Sequence, residues 1–252
     1  MNSTAEQALT KVPQVTLGFW LIKIAATTLG ETGGDMVSMS MNLGYLLSTV
    51  IFAAIFVAFV VAQTRAKKFH PLLYWATIIA TTTVGTTLAD FADRSLGIGY
   101  AGGSTLLLAL LAASLFTWHR VLGSVSINTV ATPKAEAFYW TTIMFSQTLG
   151  TALGDWTADT EGFGYTGAAI LFGTALALIA AAYYWTKISH VVLFWAAFIL
   201  TRPLGAVLGD FFDKPHADGG LELSRYTATG VLLAVIAVCM LVFPQRAASK
   251  AH

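Results

Sequence analysis

The chain has 252 residues, of which 56% are hydrophobic and only 11% charged, with a formal net charge of +1. Soluble domains carry about 25% charged residues, so the composition points to a polytopic membrane protein. Its single domain, residues 1–252, leaves no room for a sizeable soluble module. The one cysteine, Cys239, excludes disulfides and cysteine metal clusters within a single chain.

In chain order, residues 1–14 are polar and mixed. They lack a basic stretch, a short apolar core and a cleavage site, so the first helix is expected to act as its own insertion signal. Apolar stretches near the bilayer-spanning length of ~20 residues then follow one another. Eight spans are predicted, at roughly 17–36, 43–63, 72–92, 101–118, 137–157, 165–186, 191–212 and 226–243. The fold class is therefore an all-α membrane protein of eight transmembrane helices. They are read as four tandem helical hairpins, approximately 17–63, 72–118, 137–186 and 191–243.

Each odd-numbered span carries one frame: Trp, Gly ten residues later, Asp five residues after that. The copies are Trp20/Gly30/Asp35, Trp75/Gly85/Asp90, Trp140/Gly150/Asp155 and Trp195/Gly205/Asp210, each preceded by an aromatic residue. The first and third frames lie 120 residues apart, as do the second and fourth. This reads as two duplicated halves, with pseudo-symmetry about the membrane normal because every repeat enters the bilayer in the same direction.

Charge sets the expected orientation. Lys11, Arg65, Lys67, Lys68, Arg120, Lys134, Lys187, Arg246 and Lys250 fall on one side, against Arg94, Lys214 and Arg225 on the other. Both termini are therefore expected in the cytoplasm, with the Trp ends in an inner aromatic belt. Ten of the 13 acidic residues, Glu161 among them, fall at the outer, Asp end, so the outer face should attract cations. Trp to Asp spans ~22 Å of helix, which places the carboxylates near the outer boundary.

A small residue follows each frame glycine by four: Gly34, Ala89, Gly154 and Gly209. Such spacing lets helix backbones approach closely in lipid, and the odd helices are expected to pack on one another or on their hairpin partners there. Positions +7, +11 and +15 from each Trp share a helical face. They read Thr27/Glu31/Asp35, Thr82/Thr86/Asp90, Gln147/Thr151/Asp155 and Arg202/Ala206/Asp210. Polar side chains at membrane depth usually face a protein interior or a water-filled cavity, so converging faces would make a polar funnel below a ring of carboxylates. The plainer alternative has the threonines bonding their own backbone carbonyls and the aspartates capping neighbouring helices.

Lys23, Glu31 and Arg202 break the four-fold pattern. Lys23 and Glu31 are ~12 Å apart along one helix, too far for a simple pair, whereas Arg202 can reach Glu31 from the seventh span. That contact is either a structural bridge or a coupling site. Pro203 should loosen or kink the seventh helix. In the last outer loop, Asp210, Asp213 and His216 offer a weak match to a divalent-cation site, with a solvated acidic loop as the plainer reading. Hydrolase, P-loop and dinucleotide motifs are absent, and no enzyme activity or cofactor is expected.

The repeated segments FWLIKIAATTLGETGGD, YWATIIATTTVGTTLAD, YWTTIMFSQTLGTALGD and FWAAFILTRPLGAVLGD resemble a family of bacterial integral membrane proteins of unknown function. That family is built from four tandem two-helix repeats, each with a Trp. The resemblance implies this fold and a bacterial inner membrane, and supplies no substrate. The function expected is transport of a cationic solute, a divalent metal ion or a small organic cation. Glu31, Asp35, Asp90, Asp155, Asp210, Lys23 and Arg202 would bind solute or coupling ion, and Thr27, Thr82, Thr86, Gln147 and Thr151 would line the path. The alternative is a membrane sensor or scaffold whose polar residues are structural. The implied partners are the lipid bilayer and the solute, with no nucleic acid; homo-oligomerisation is left open.

Overall fold

A computed structural model describes residues 10–160 and 162–248. Glu161 and Lys250, counted above, lie outside the described residues, as does the stretch before Thr10. Eight long helices account for the described chain: α1 Leu17–Asp35, α2 Gly44–Arg65, α3 Pro71–Asp90, α4 Tyr100–Leu122, α5 Pro133–Asp155, α6 Gly164–Trp185, α7 His190–Asp213 and α8 Arg225–Val242. Local chemistry sets several of these ends. The Thr16 hydroxyl caps α1 by accepting from Phe19 N, and Pro71 and Pro133 occupy first turns, where no N–H is needed. The Gly-Tyr pairs opening α2, α4 and α6 have a backbone reason. Gly44, Gly99 and Gly164 sit at φ of 72°, 73° and 64°, a region that penalises a Cβ. The fourth repeat opens on Arg225-Tyr226 without such a turn, Ser224 holding φ at −55°.

The odd helices form a closed inner ring, α1 against α3, α3 against α5, α5 against α7 and α7 back against α1. They are buried along most of their length, while α2, α4, α6 and α8 are exposed over most of theirs. The exposed outer surface is apolar, with Leu46, Val57, Phe116, Ile170, Leu178 and Leu241 among its side chains. An apolar surface of that extent belongs in lipid. Six of the eight helices are long and apolar enough to cross a membrane; α1 and α5 are not. These two carry Lys23, Glu31 and Asp35, and Lys134, Glu136 and Asp155. All of these but the exposed Lys134 are buried among the other helices rather than set against acyl chains. The molecule is a multi-pass helical membrane protein.

The two helices of a repeat are not the main packing unit. Each outer helix lies chiefly on the inner helix of the following repeat: α2 on α3, α4 on α5, α6 on α7, and α8 returns to α1. The hairpin expectation therefore holds for chain order and not for packing. The ring itself is held by the glycine seam. A Cβ on Gly30 would strike Thr82, on Gly85 would meet Gln147 and Thr148, on Gly150 would strike Arg202 and on Gly205 would strike Thr27. Every frame glycine thus receives the +7 side chain of a ring neighbour. Close approach at these four points puts the polar faces on the ring axis.

The Trp end is closed. Instead of an interfacial belt, Trp75, Trp140 and Trp195 are buried with Phe19, Tyr74, Tyr139 and Trp118 in an aromatic core. The Tyr74 and Tyr139 hydroxyls meet at 2.6 Å. Beneath that core the N- and C-terminal segments pair, Gln14 N donating to Arg246 O and Ala248 N to Val12 O. Lys11 Nζ lies 2.6 Å from Glu136 Oε1 and also donates to Gln63 O and Thr64 O at the end of α2. Both described ends of the chain are therefore at the Trp end. Helix α7 runs unbroken through Pro203.

Candidate functional site

The site follows from where the +7, +11 and +15 positions stand once the seam is closed. Arg202 is fully buried, and its Nη2 reaches all three other ring helices. It donates to Glu31 Oε2 on α1 at 2.9 Å, to Thr86 Oγ1 on α3 at 2.6 Å and to Thr151 Oγ1 on α5. A single guanidinium touching three neighbours lies on the ring axis. Thr86 Oγ1 also stands 3.3 Å from Glu31 Oε2. The predicted Arg202–Glu31 pair is thus present, within a three-way contact that spacing alone did not indicate.

Above Arg202, toward the Asp end, the four frame aspartates converge. Glu31, Asp35 and Asp90 offer ligand oxygens within 4.8 Å of one another, as do Glu31, Asp155 and Asp210, and Asp35, Asp210 and Asp213. Glu31, Asp35 and Asp210 are each shared by two of these groups, and Glu31 alone among them also meets Arg202. Cations return from the chain beyond the helices. Arg94 meets Asp90 at 2.9 Å and Asp155 at 3.2 Å, Lys214 meets Asp35 at 2.7 Å and Asp210 at 3.0 Å, and Arg225 meets Asp213 at 2.7 Å. Burial works against the charge of Lys214, yet Asp210, Asp35 and Asp213 outweigh it and hold the ammonium well above the ordinary lysine range. Six carboxylates (Glu31, Asp35, Asp90, Asp155, Asp210, Asp213) face four cationic groups (Arg94, Arg202, Lys214, Arg225), a formal excess of two acidic groups.

This chamber is shut in the present conformation. The four frame aspartates are 2–4% exposed. Three of the four ring helices leave the chamber through a π-helical turn directly after the frame Asp, at Met36–Ser40, Phe91–Ser95 and Trp156–Thr160. π turns widen the helix locally and are frequent at functional sites. The second of them carries Arg94 back over the carboxylates.

Below Arg202 the remaining path residues meet different fates. Thr27 Oγ1 donates to carbonyls of its own helix or to Thr201 O across the seam, so the plainer reading of the threonines holds in part. Thr82 Oγ1 and both amide atoms of Gln147 are buried without a partner among the described residues. Lys23 Nζ is likewise unpartnered and stands 4.2 Å from the centre of the Phe198 ring.

The loop site is not assembled as the sequence suggested. Asp210 and Asp213 group with Asp35, whereas His216 is exposed and its Nδ1 lies against Gly220 O at 2.8 Å. Sequence reasoning also left Arg94, Lys214 and Arg225 in the loops. The spacing of Arg94 four residues after Asp90 and Lys214 four after Asp210 is the helical ion-pair signal that points to them.

No curated protein and no solved structure matches the chain. A family model does, four times, at residues 18–69, 73–123, 138–189 and 193–245, each match framing one Trp-Gly-Asp copy with the outer helix that follows it. The chain belongs to the family described as the Repeat of Unknown Function, DUF347.

Proposed function

We propose that this protein carries a small cation across a bacterial inner membrane, a divalent metal ion before any other. The observation that carries the reading is the formal excess of two acidic groups in the buried chamber around Glu31. Oxygen atoms within 4.8 Å of one another suit an ion bound at about 2.0–2.6 Å from each ligand. The same closeness leaves an organic cation little space, so the metal ion is the better of the two expected solutes. Asp35, Asp90, Asp155 and Asp210 form the entrance, Glu31 is the central acceptor, and Arg202 is the resident counter-charge below it. Ion pairs with Arg94 and Lys214 hold the entrance closed, and entry requires those side chains to swing away from the carboxylates.

In this reading all eight helices span the membrane, α1 and α5 being screened from lipid by their neighbours. The four repeats are related by pseudo-symmetry about the membrane normal, as two duplicated halves, and both termini are cytoplasmic. A second reading, a non-transporting scaffold or sensor, is favoured by the cationic partner that every frame aspartate already has. Reconstituted vesicles separate the two. Carriage predicts manganese(II) flux into proteoliposomes that falls at least tenfold in Glu31→Gln and in Asp90→Asn/Asp155→Asn. A wild-type protein that neither moves nor is thermally stabilised by manganese, calcium or magnesium ions supports the scaffold instead.

A further inference from the structure

Beneath the contact of Arg202 with Glu31, the hydrogen-bonding inventory of the buried side chains is lopsided. Lys23, Thr82, Gln147 and Arg202 are each fully buried. The Lys23 ammonium, the Thr82 hydroxyl, the Gln147 amide and the Nε and Nη1 atoms of Arg202 all lack a hydrogen-bond partner among the described residues. Native interiors rarely leave buried polar groups unpaired, and a set of them at one height calls for a partner such as a water or an ion.

These groups share one region. Thr82, Gln147 and Arg202 occupy the same position of three successive frames, each wedged against a glycine of its ring neighbour, so they stand at one height around the axis. Lys23 stands on α1 one turn lower, at the level of Phe198 on α7. Its Nζ lies over Phe198, which is one helical turn from Arg202 on the same face of α7.

The chemistry of the missing partner follows from counting. An ammonium brings three N–H donors, the free part of the guanidinium three, a primary amide two and a hydroxyl one. Against these stand only the Gln147 carbonyl and the Thr82 oxygen as acceptors. Water supplies donors and acceptors in equal number and leaves the imbalance where it was. An acceptor without protons corrects it. Charge gives the same answer: Lys23 and Arg202 against Glu31 leave one positive charge below the acidic chamber. The Phe198 face attracts the ammonium but accepts no conventional hydrogen bond from it.

We propose that the layer formed by Lys23, Thr82, Gln147 and Arg202 binds one small monovalent anion of halide type. Single charge matches the local excess, and the tight approach of the +7 side chains to the opposing glycines favours a one-atom ion over a polyatomic oxyanion. The anion sits between the acidic chamber and the aromatic core, neutralises Lys23, and keeps Arg202 aimed upward at Glu31. The site does not depend on whether the protein transports a cation.

The test uses the full-length protein in detergent. After exchange into sodium gluconate, wild-type protein is expected to retain about one chloride per chain, released on denaturation and measured by ion chromatography. Protein prepared throughout in gluconate should melt lower than protein in chloride at equal ionic strength, by on the order of 5–10 °C at saturation. Gln147→Leu and Lys23→Met should lose both the retained chloride and the melting shift, while Lys187→Met, on the exposed surface, keeps them. Should Lys23→Met fail to fold, Gln147→Leu and Thr82→Val carry the test. Wild-type protein without chloride and with equal melting in both salts overturns the proposal, as does chloride held undiminished by the variants. Loss of manganese flux with chloride still bound would count against the transport reading alone.

Discussion

Replacing Gly85 by alanine probes the seam on which the polar axis rests. A Cβ there would stand 3.0 Å from the Gln147 carbonyl carbon and from Thr148 N, and 3.1 Å from Gln147 Cβ. Two of these atoms are backbone, so no rotamer change relieves the contact. Carbon contacts prefer about 3.5–4.0 Å, so α3 and α5 must part by roughly 0.5–1 Å, and overpacking of this kind costs about 1–3 kcal/mol. Alanine regains about 1 kcal/mol of helix propensity, for a net loss of about 1–2 kcal/mol at the upper half of that range. For a chain of this size the melting midpoint should fall by about 2–8 °C. Gly33→Ala is the matched control, because the nearest atom to its new Cβ is Thr229 Cγ2 at 4.0 Å. It keeps the propensity gain without the clash and should melt at or above wild type. Thermal unfolding of the three purified proteins, followed by tryptophan fluorescence, reads the comparison. Equal midpoints for Gly85→Ala and Gly33→Ala would show that the frame glycines do not set the helix approach.

Two further outcomes follow from the site. Arg94→Gln removes the partner of both Asp90 and Asp155 and deepens the formal excess from two to three. It should lower the melting midpoint without metal yet enlarge the stabilisation by manganese ions, and an unchanged metal shift in a thermal-melt titration would count against the charge argument. At the closed end, Tyr74→Phe or Tyr139→Phe alone leaves a buried hydroxyl unpaired and should cost about 1–3 kcal/mol. The double substitution should recover most of that loss in a denaturation cycle, and strict additivity would refute the pairing.

Much of the inner ring was legible. Hydropathy placed the helix ends within a few residues, since α1 was read as 17–36 and runs Leu17–Asp35, and α6 as 165–186 and runs Gly164–Trp185. The glycine spacing and the one-sided polar stripe were periodic signals, and periodicity reports which face is shared. It does not report with whom, and here the longest-range facts were hidden. Nothing local in Val231–Val242 states that α8 rests on α1. The frame tryptophans look alike in sequence whether they meet headgroups or other rings, yet Trp75, Trp140 and Trp195 are buried while Trp20 is half-buried at the edge of the same core. Arg94 and Lys214 were read as loop charges because hydropathy ends a span where polarity begins, whereas the chain continues helically, or turns back, to reach the carboxylates. The His216 assignment failed because that loop folds onto its own backbone through Gly220.

The hand-over of each outer helix to the next repeat bears on how the molecule is made. A chain emerges from the ribosome N-terminus first, and α1 arrives with Lys23 and Glu31 on its surface. The contacts of those charges lie on α3 and α7, Glu31 meeting Thr86 and Arg202 and Lys23 standing over Phe198. Helix α1 is therefore made before both helices that take up its charges, and α7, which brings Arg202, is the later of the two. Assembly must keep Lys23 and Glu31 away from acyl chains until α7 has arrived.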